Sequence, residues 1–232
     1  MTRKLILFDV DGTLLLTDGA GRRAIGQALR DETGTAGPID SYRLDGKTDP
    51  QIARELLTAA RHEAADDDAR IASVCRRYVA LLERELADTP GATRLFPGVL
   101  DLLDAIERRG DAALGLLTGN VADGAALKLR AAGLDRARFV VGAFGSDHAD
   151  RTALPSIASR RAAQFMGREP TGADVVIIGD TPADVTCGRS IAARAIGVAT
   201  GRFARAELLA AGAYAAFDTL ADVTAVLAAI YA

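Results

Sequence analysis

The chain contains no tryptophan, and only 5% of its residues are aromatic. Its two cysteines, Cys75 and Cys187, lie far apart and lack the close spacing of a metal-binding motif. We therefore expect both to be free, buried thiols of a protein in a reducing compartment. The expected location is the cytoplasm, because the apolar run near the N-terminus is too short for a secretory signal and is interrupted by Asp9.

Long apolar runs and an excess of positive charge are also absent. No stretch reaches the roughly 18 apolar residues that a membrane span requires, so no membrane association is expected. The formal net charge is −3, whereas a nucleic-acid-binding protein would need a basic face, so no nucleic-acid partner is expected. With 232 residues, 49% of them hydrophobic, the chain can form one large domain or a domain with an insert.

The first element is a short apolar run, residues 5–8, that ends in two carboxylates one residue apart, Asp9 and Asp11. A run of this length, bounded by a glycine turn, is typical of a fully buried parallel strand. Ligands bind at the C-terminal edge of such sheets, where Asp9 would lie. Two acids this close repel each other unless a cation or a proton lies between them. The alternative interpretation is a strand followed by an ordinary Asp-Gly turn.

The pattern of the chain changes near residue 98. Before that point, apolar residues recur at helical spacing with no sign of a strand, which predicts an all-helical insert. After it, short apolar strands alternate with helices, which predicts parallel βαβ units with right-handed crossovers. We therefore expect an α/β fold, with a doubly wound, Rossmann-like parallel-sheet core formed by residues 1–15 and 98–232. Residues 16–97 would form the inserted α-helical domain, and residues 88–97 a hinge.

Two later strands are also expected to end in small polar residues. One precedes Thr118-Gly119-Asn120, and the other precedes Asp180, which Asp184 follows four residues later. Because the C-terminal ends of parallel strands lie side by side, these groups should meet Asp9 and Asp11. Four carboxylates at one site indicate a hard divalent cation, and Mg²⁺ is the usual choice where a phosphate shares the coordination sphere.

An apolar strand followed by DxDGT, then TGN, then GDTxxD resembles the motif series of the haloacid dehalogenase (HAD) superfamily. The resemblance covers the whole predicted core, and the helical insert resembles the type-1 cap of that superfamily. It implies a metal-dependent phosphoryl transfer through an aspartyl-phosphate, with phosphoglycolate phosphatases as the most similar members.

The resemblance also implies a role for each motif residue. Asp9 would be the nucleophile, and Asp11 would protonate the leaving oxygen and later deprotonate water. Thr118 and Gly119 would bind the transferring phosphoryl group. Asn120 would be either a minor phosphate contact or a cap.

The expected metal ligands are Asp9, the backbone carbonyl of Asp11, and Asp180. Asp184 would support the metal or its water molecules. Thr13 is interpreted as a turn and helix-start residue rather than a catalytic one.

One motif departs from the superfamily pattern, which expects a lysine between TGN and GDTxxD to neutralise the nucleophile and the phosphate. Only Lys4, Lys47 and Lys128 are lysines among the 28 basic residues, and Lys128 is predicted to lie mid-helix, one strand too early. We predict that Arg151, at the start of the helix after the third core strand, takes this place. Arginine can bridge two oxygens, whereas lysine acts as a point charge.

The loop before the second helix of the insert is a further candidate for substrate binding. Lys47 and Arg43 could contact a second anionic group of the substrate. The alternative is an exposed turn in which Asp49 caps the next helix. Neither His62 nor His148 is expected to be catalytic.

Together these residues favour a phosphatase that acts on a small phosphorylated metabolite beneath a closed cap. A phosphomutase similar to β-phosphoglucomutase stays open, because the same core can transfer the group to a sugar. A dehalogenase is disfavoured, since it needs no metal and has no use for Asp11. A phosphonatase would require Lys47 as a Schiff base, and the missing motif lysine leaves room for a regulatory protein on an inactive core. Monomer and dimer are both open.

Overall fold

The structure, a computed structural model, describes residues 4–232. Its centre is a six-stranded sheet in which neighbouring strands are parallel. The strands of this sheet are β1 Lys4–Phe8, β4 Ala112–Thr118, β5 Val141–Phe144, β6 Val175–Gly179, β7 Arg194–Val198 and β8 Ala215–Phe217. Their spatial order is β5-β4-β1-β6-β7-β8, which confirms the predicted doubly wound α/β core.

The helices either cover this sheet or form the insert. They are α1 Ala20–Thr33, α2 Asp49–Ala59, α3 Asp68–Asp88, α4 Val99–Arg109, α5 Ala122–Ala131, α6 Leu154–Met166, α7 Pro182–Cys187, α8 Arg205–Ala211 and α9 Val223–Tyr231. Phe8 of β1 shares an apolar core with Leu103 of α4 and Ile230 of α9, whereas Leu7 shares another with Ala158 of α6. The sheet is thus buried on both faces, which explains the continuous apolar run of β1. Within residues 4–232, no helix is both long and apolar enough to cross a membrane.

Strand β1 positions the motifs because it pairs with β4 on one side and β6 on the other. Phe8 lies opposite Leu116 of β4 and Ile178 of β6. The residues that follow β1, β4 and β6 therefore meet at one edge of the sheet. This edge carries the three polar motifs of the sequence.

Helices α1, α2 and α3 form a layer with an apolar core of its own. Ile25 and Leu29 of α1 pack in this core with Leu56 of α2 and Leu82 of α3. A separate core is what an inserted domain requires. We propose the predicted division on this basis, with residues 16–97 as the cap.

A short antiparallel ribbon joins the cap to the sheet. Strand β2, Leu15–Leu16, pairs with strand β3, Arg94–Leu95. The sequence analysis predicted a hinge at 88–97 but no strand there. Two residues are too few to show the period-two alternation by which a strand is recognised.

Two predicted elements have different limits in the structure. The apolar run at residues 139–141 predicts a strand there, whereas β5 lies at Val141–Phe144, because pairing of Val141 with Gly115 sets its register. The pattern of residues 182–193 predicts one helix, whereas α7 ends at Cys187 and is followed by a 3₁₀ turn, Gly188–Ile191. The end of α7 does not affect the motif residues at its start.

Candidate active site

Asp9 lies directly after β1 and is buried, with 6% of its surface exposed. Its backbone N–H donates to the carbonyl of Ile178 at 3.0 Å, so the chain is still held to β6 at this point. The Arg151 Nη2 atom donates to Asp9 Oδ1 at 3.0 Å. Sequence reasoning placed Asp9 at this edge, and the structure brings Arg151 to it from the segment after β5.

Three carboxylates converge at this edge. Asp9, Asp180 and Asp184 each offer an oxygen within 4.8 Å of the others, and all three residues are buried. Burial, helped by the Asp184 and Asp11 carboxylates, raises the pKa of Asp9 to about 7 against the opposing charge of Arg151. Burial and the charges of Asp184 and Asp9 also raise the pKa of Asp180 well above its usual range. The cluster therefore holds more negative charge than Arg151 compensates.

The position of Asp180 depends on a hydroxyl donor and on two glycines. The Thr13 hydroxyl donates to Asp180 Oδ1 at 3.1 Å, and both residues are buried. A Cβ atom on Gly12 or on Gly201 would overlap the Asp180 carboxylate, so neither position can carry a side chain. Thr13 lies in a turn, as predicted, but the prediction that it starts a helix was wrong, since the next helix begins only at Ala20.

Asp184 is oriented by the start of α7. Its Oδ2 atom accepts the Thr181 backbone N–H at 3.0 Å, and the Thr181 hydroxyl oxygen accepts the Asp184 backbone N–H at 3.2 Å, which makes a capping box. The Thr181 hydroxyl also lies 2.6 Å from Oδ2. The Oδ1 atom of Asp184 accepts a hydrogen bond from Arg151 Nη2. Both oxygens of Asp184 thus have protein donors, an arrangement suited to supporting a metal site from behind.

A second group of polar side chains surrounds Asp11. Asn120 Nδ2 donates to Asp11 Oδ2 at 2.7 Å and to Thr118 Oγ1 at 2.8 Å. Lys128 Nζ lies 2.6 Å from the same Asp11 oxygen and 2.6 Å from Asn120 Oδ1. Lys128 lies in the middle of α5, one strand before Arg151, as predicted. Its long side chain nevertheless extends to Asp11, a contact that was not predicted.

The cap loop before α2 and the first residue of α2 contact the TGN motif. The Asp49 backbone N–H donates to the Gly119 carbonyl at 2.8 Å, and the Asp49 carboxylate accepts the Val121 N–H at 2.8 Å. A Cβ on Gly119 would overlap the carbonyl of Lys47, so only glycine permits this approach. Burial raises the pKa of Asp49 to about 6, against the nearby charge of Lys128. Asp49 is therefore a buried contact between cap and core, whereas the side-chain cap of α2 is Thr48.

The two cap cations singled out from the sequence differ in position. Lys47 lines the cavity above Asp9, and its Nζ atom lies 2.5 Å from both Glu55 Oε2 and the Tyr42 hydroxyl. Arg43 is not among the residues that line this cavity. It pairs with Asp45 at 3.7 Å and lies 5.9 Å from the ring centre of Phe203. The structure thus brings Lys47, but not Arg43, to the cavity, and a contact of either side chain with the substrate stays a prediction.

The cavity between cap and core has a volume of about 330 Å³. The predicted site residues that line it are Asp9, Asp11, Lys47, Thr118, Gly119, Asn120, Arg151 and Asp180. Arg22, Tyr78 and Arg202 line it as well, and no motif or pattern in the sequence selects them. The histidines lie elsewhere: His62 Nδ1 accepts the Ala64 N–H in the cap, and His148 lies in an exposed loop. All of the predicted acids except Asp184 thus line one cavity.

Lys128 carried a signal that the sequence analysis did not use. The buried residues of α5 are Gly124, Ala125, Lys128 and Leu129, which lie at helical spacing. A lysine within an apolar stripe is unusual, because a buried ammonium group needs a partner. This position could have identified Lys128 as a site residue.

Comparison with known proteins agrees with this geometry. The family model for haloacid dehalogenase-like hydrolases matches residues 3–191. The chain is 31% identical over 228 residues to "Probable phosphatase IndB" of Dickeya dadantii, which covers 95% of this chain and 92% of that protein. It is 28% identical over 226 residues to a phosphoglycolate phosphatase of Rhodospirillum rubrum, with 94% and 88% covered. Among solved structures, CbbY from Rhodobacter sphaeroides in complex with phosphate superposes with a TM-score of 0.75 at 25% identity, covering 95% and 96%.

The family match includes the three strand ends, Arg151 and the helices of the cap. The resemblance predicted from the motifs is thereby confirmed, and so is the expectation of a phosphatase-type hydrolase. The chain belongs to the haloacid dehalogenase-like hydrolase family.

Proposed function

We propose that the protein is a magnesium-dependent phosphatase that hydrolyses a small phosphate monoester through an aspartyl-phosphate on Asp9. One observation carries the proposal: Asp9 lies among Asp180, Asp184 and Arg151 at the end of a central strand and faces the cavity between cap and core. The relatives named as phosphatases, one of them a phosphoglycolate phosphatase, support the same reaction class.

The arrangement supports a two-step transfer. An Asp9 oxygen attacks phosphorus, the ester P–O bond breaks, and its electron pair goes to the leaving oxygen, which takes a proton from the Asp11 carboxyl. The Asp11 carboxylate then takes a proton from a water molecule that attacks the aspartyl-phosphate. The bond between phosphorus and Asp9 breaks, and phosphate leaves.

Thr118 and Arg151 are the groups placed to bind the phosphoryl oxygens. Thr118 Oγ1 accepts from Asn120 Nδ2, so its own hydroxyl proton is left to donate into the cavity. Arg151 is fixed against Asp9 and Asp184, and its Nε–H is buried without a partner among residues 4–232. Both groups are held in place before substrate arrives, which is how electrostatic stabilisation of a transition state is achieved.

The acids at this edge fit Mg²⁺. Carboxylate oxygens are its preferred protein ligands, and the raised pKa values of Asp9 and Asp180 indicate that a positive charge is needed there. We propose that Asp9, Asp180 and the backbone carbonyl of Asp11 hold the ion and that Asp184 supports it. The bound ion would neutralise charge on the phosphoryl group during transfer.

The cavity limits the substrate to a small molecule. A volume of about 330 Å³ lies at the lower end of the range for ligand sites. Lys47 and Arg202 also line the cavity, so a second anionic group on the substrate can pair with a cation there. A small phosphorylated metabolite with a carboxylate or second phosphate fits these features best.

The test is phosphate release from a panel of phosphate esters, measured with Mg²⁺ and with EDTA. We expect release that depends on Mg²⁺ and is abolished in Asp9→Asn, which keeps the shape of the side chain but removes the nucleophile. Asp101→Asn, an exposed acid-to-amide change on α4, is the matched control and should retain activity. Sugar phosphates that are isomerised without phosphate release would indicate a phosphomutase. No turnover of any ester would indicate a non-catalytic role.

A further inference from the structure

Lys128 is a buried charge that the proposed reaction does not yet use. Its side chain is 5% exposed, whereas the Asp11 side chain that it contacts is 42% exposed. Burial opposes the charged form of Lys128, but the carboxylates of Asp11 and Asp49 outweigh burial and raise its pKa. A buried ammonium group this close to a cavity-lining acid is costly to maintain without a role.

Lys128, Asn120 and Asp11 form a closed triangle of hydrogen bonds. Asp11 Oδ2 accepts from Lys128 Nζ at 2.6 Å and from Asn120 Nδ2 at 2.7 Å. Lys128 also donates to Asn120 Oδ1 at 2.6 Å, which fixes which way the Asn120 amide faces. Two donors on one oxygen hold the Asp11 carboxylate in one rotamer, and its other oxygen, Oδ1, is left to exchange a proton with the substrate.

The triangle is linked to the cap. The hydroxyl-bearing side chain of Tyr78, a fully buried residue of α3, lies beside Lys128 in the lining of the cavity. The nearby carboxylate of Asp49 in α2 also helps to raise the pKa of Lys128. Lys128 therefore touches the acid–base residue on the core side and the cap on the other.

We propose that Lys128 is a positioning residue for the proton transfer by Asp11, and that its contact with Tyr78 makes this orientation depend on a seated cap. The inference rests on the proposed phosphatase reaction, in which Asp11 gives its proton to the leaving oxygen as the ester P–O bond breaks. Lys128 itself touches neither phosphorus nor the leaving group.

Substrates that differ in their need for protonation test this role. An alkyl phosphate has a poor leaving group, so its hydrolysis depends on protonation of the leaving oxygen by Asp11. p-Nitrophenyl phosphate has a good leaving group, so its hydrolysis depends little on that protonation. In Lys128→Met we expect kcat/KM for the alkyl phosphate to fall at least about tenfold and that for p-nitrophenyl phosphate to fall by no more than about threefold. Arg130→Met is the matched control: Arg130 lies on the same helix and pairs with Glu83 of α3 at 2.9 Å in solvent, and both rates should be unchanged.

Tyr78→Phe provides a milder test that keeps the packing of the ring. We again expect kcat/KM to fall more for the alkyl phosphate than for p-nitrophenyl phosphate, although by less than in Lys128→Met. If Lys128→Met fails to fold, Tyr78→Phe decides the test. In an Asp11→Asn background, adding Lys128→Met should cost nothing further on the alkyl phosphate, because Lys128 acts through Asp11.

Three results would overturn the inference. Equal losses on both substrates in both Lys128→Met and Tyr78→Phe would make Lys128 a structural residue only. A full additional loss in the Asp11→Asn background would mean that it acts by another route. Wild-type protein that releases no phosphate with Mg²⁺ would overturn the proposed function together with this inference, whereas the first two results leave the phosphatase intact.

Discussion

Arg151 donates from Nη2 to Asp9 Oδ1 at 3.0 Å, and both side chains are almost completely buried. The bond joins the segment after β5 to the end of the central strand β1. Among residues 4–232, no other salt bridge involves Asp9, so Arg151 alone offsets the charge of this acid directly. The same nitrogen also contacts Asp184, and one guanidinium group thus holds together two of the three clustered carboxylates.

This contact predicts a large kinetic effect for Arg151→Ala. Loss of the guanidinium removes the side-chain cation proposed to bind the transferring phosphoryl group, so we expect kcat to fall by about 100-fold or more. Arg151→Lys should recover part of the rate, because lysine retains the charge but not the two-pronged geometry. Arg161→Ala on α6 is the control, since Arg161 pairs with Asp147 at the surface. A near-normal rate for Arg151→Ala, measured as phosphate release, would remove Arg151 from the mechanism.

The positions of the clustered acids could be predicted from the sequence, because the ends of apolar strands are easy to recognise. Asp9 and Asp180 each follow a short apolar run, and parallel strands in adjacent positions bring such residues together. Arg151 was predicted because the superfamily resemblance implies a basic residue between TGN and GDTxxD, and no lysine occurs after Lys128 in the chain. The positions of the acids depend on topology, which periodicity and motif order determine well, whereas the choice of Arg151 depends on the resemblance.

Side-chain direction could not be predicted in the same way. Lys47 and Arg43 are four residues apart in one loop, yet only Lys47 lines the cavity. The difference arises from local partners, Glu55 for Lys47 and Asp45 for Arg43, which no pattern in the sequence specifies. The burial of Lys128 could be predicted from the apolar stripe of α5, but its contact with Asp11 could not, because the reach of a long side chain from mid-helix depends on how α5 packs.

The clustered acids predict stabilisation by Mg²⁺. An ion that binds the folded state but not the unfolded chain raises the melting temperature. We expect Mg²⁺ to raise the melting temperature of the wild-type protein and to have little effect on Asp180→Asn. Without Mg²⁺, Asp180→Asn should be at least as stable as wild type, because it removes one of three mutually repelling carboxylates. Thermal unfolding followed by circular dichroism, with EDTA and with Mg²⁺, measures both effects.

Asp101→Asn serves as the control for the metal titration. Asp101 is exposed on α4, away from the cluster, so its response to Mg²⁺ should match that of wild type. An equal Mg²⁺ response in Asp180→Asn and in wild type would place the ion elsewhere.

Lys47 predicts a dependence on the charge of the substrate. It lines the cavity and pairs with Glu55 at 2.5 Å, so it can exchange this partner for an anionic group of the substrate. We expect Lys47→Ala to raise KM more for a phosphate ester that carries a carboxylate than for an uncharged aryl or alkyl ester, with kcat changed less. Arg43→Ala should leave both KM values unchanged, since Arg43 points to Phe203. Equal changes in KM for the two substrates would make Lys47 a structural residue of the cap.

Asp49 predicts how the stability of the cap–core contact depends on pH. Burial raises its pKa in the folded protein to about 6, above the usual value of 3.8, so the folded state holds this proton more tightly than the unfolded chain. The contribution of Asp49 to the free energy of unfolding is therefore most favourable below about pH 4 and is lost as the pH rises from about 4 to about 6. Asp49→Asn keeps an oxygen for the Val121 N–H but cannot ionise. Relative to wild type, the variant should gain free energy of unfolding through this window, by at most about 3 kcal/mol, and then level off. Urea unfolding at pH 4, 5, 6 and 7 measures the difference, and a difference that is constant across these four values would contradict an ionising Asp49 at the contact.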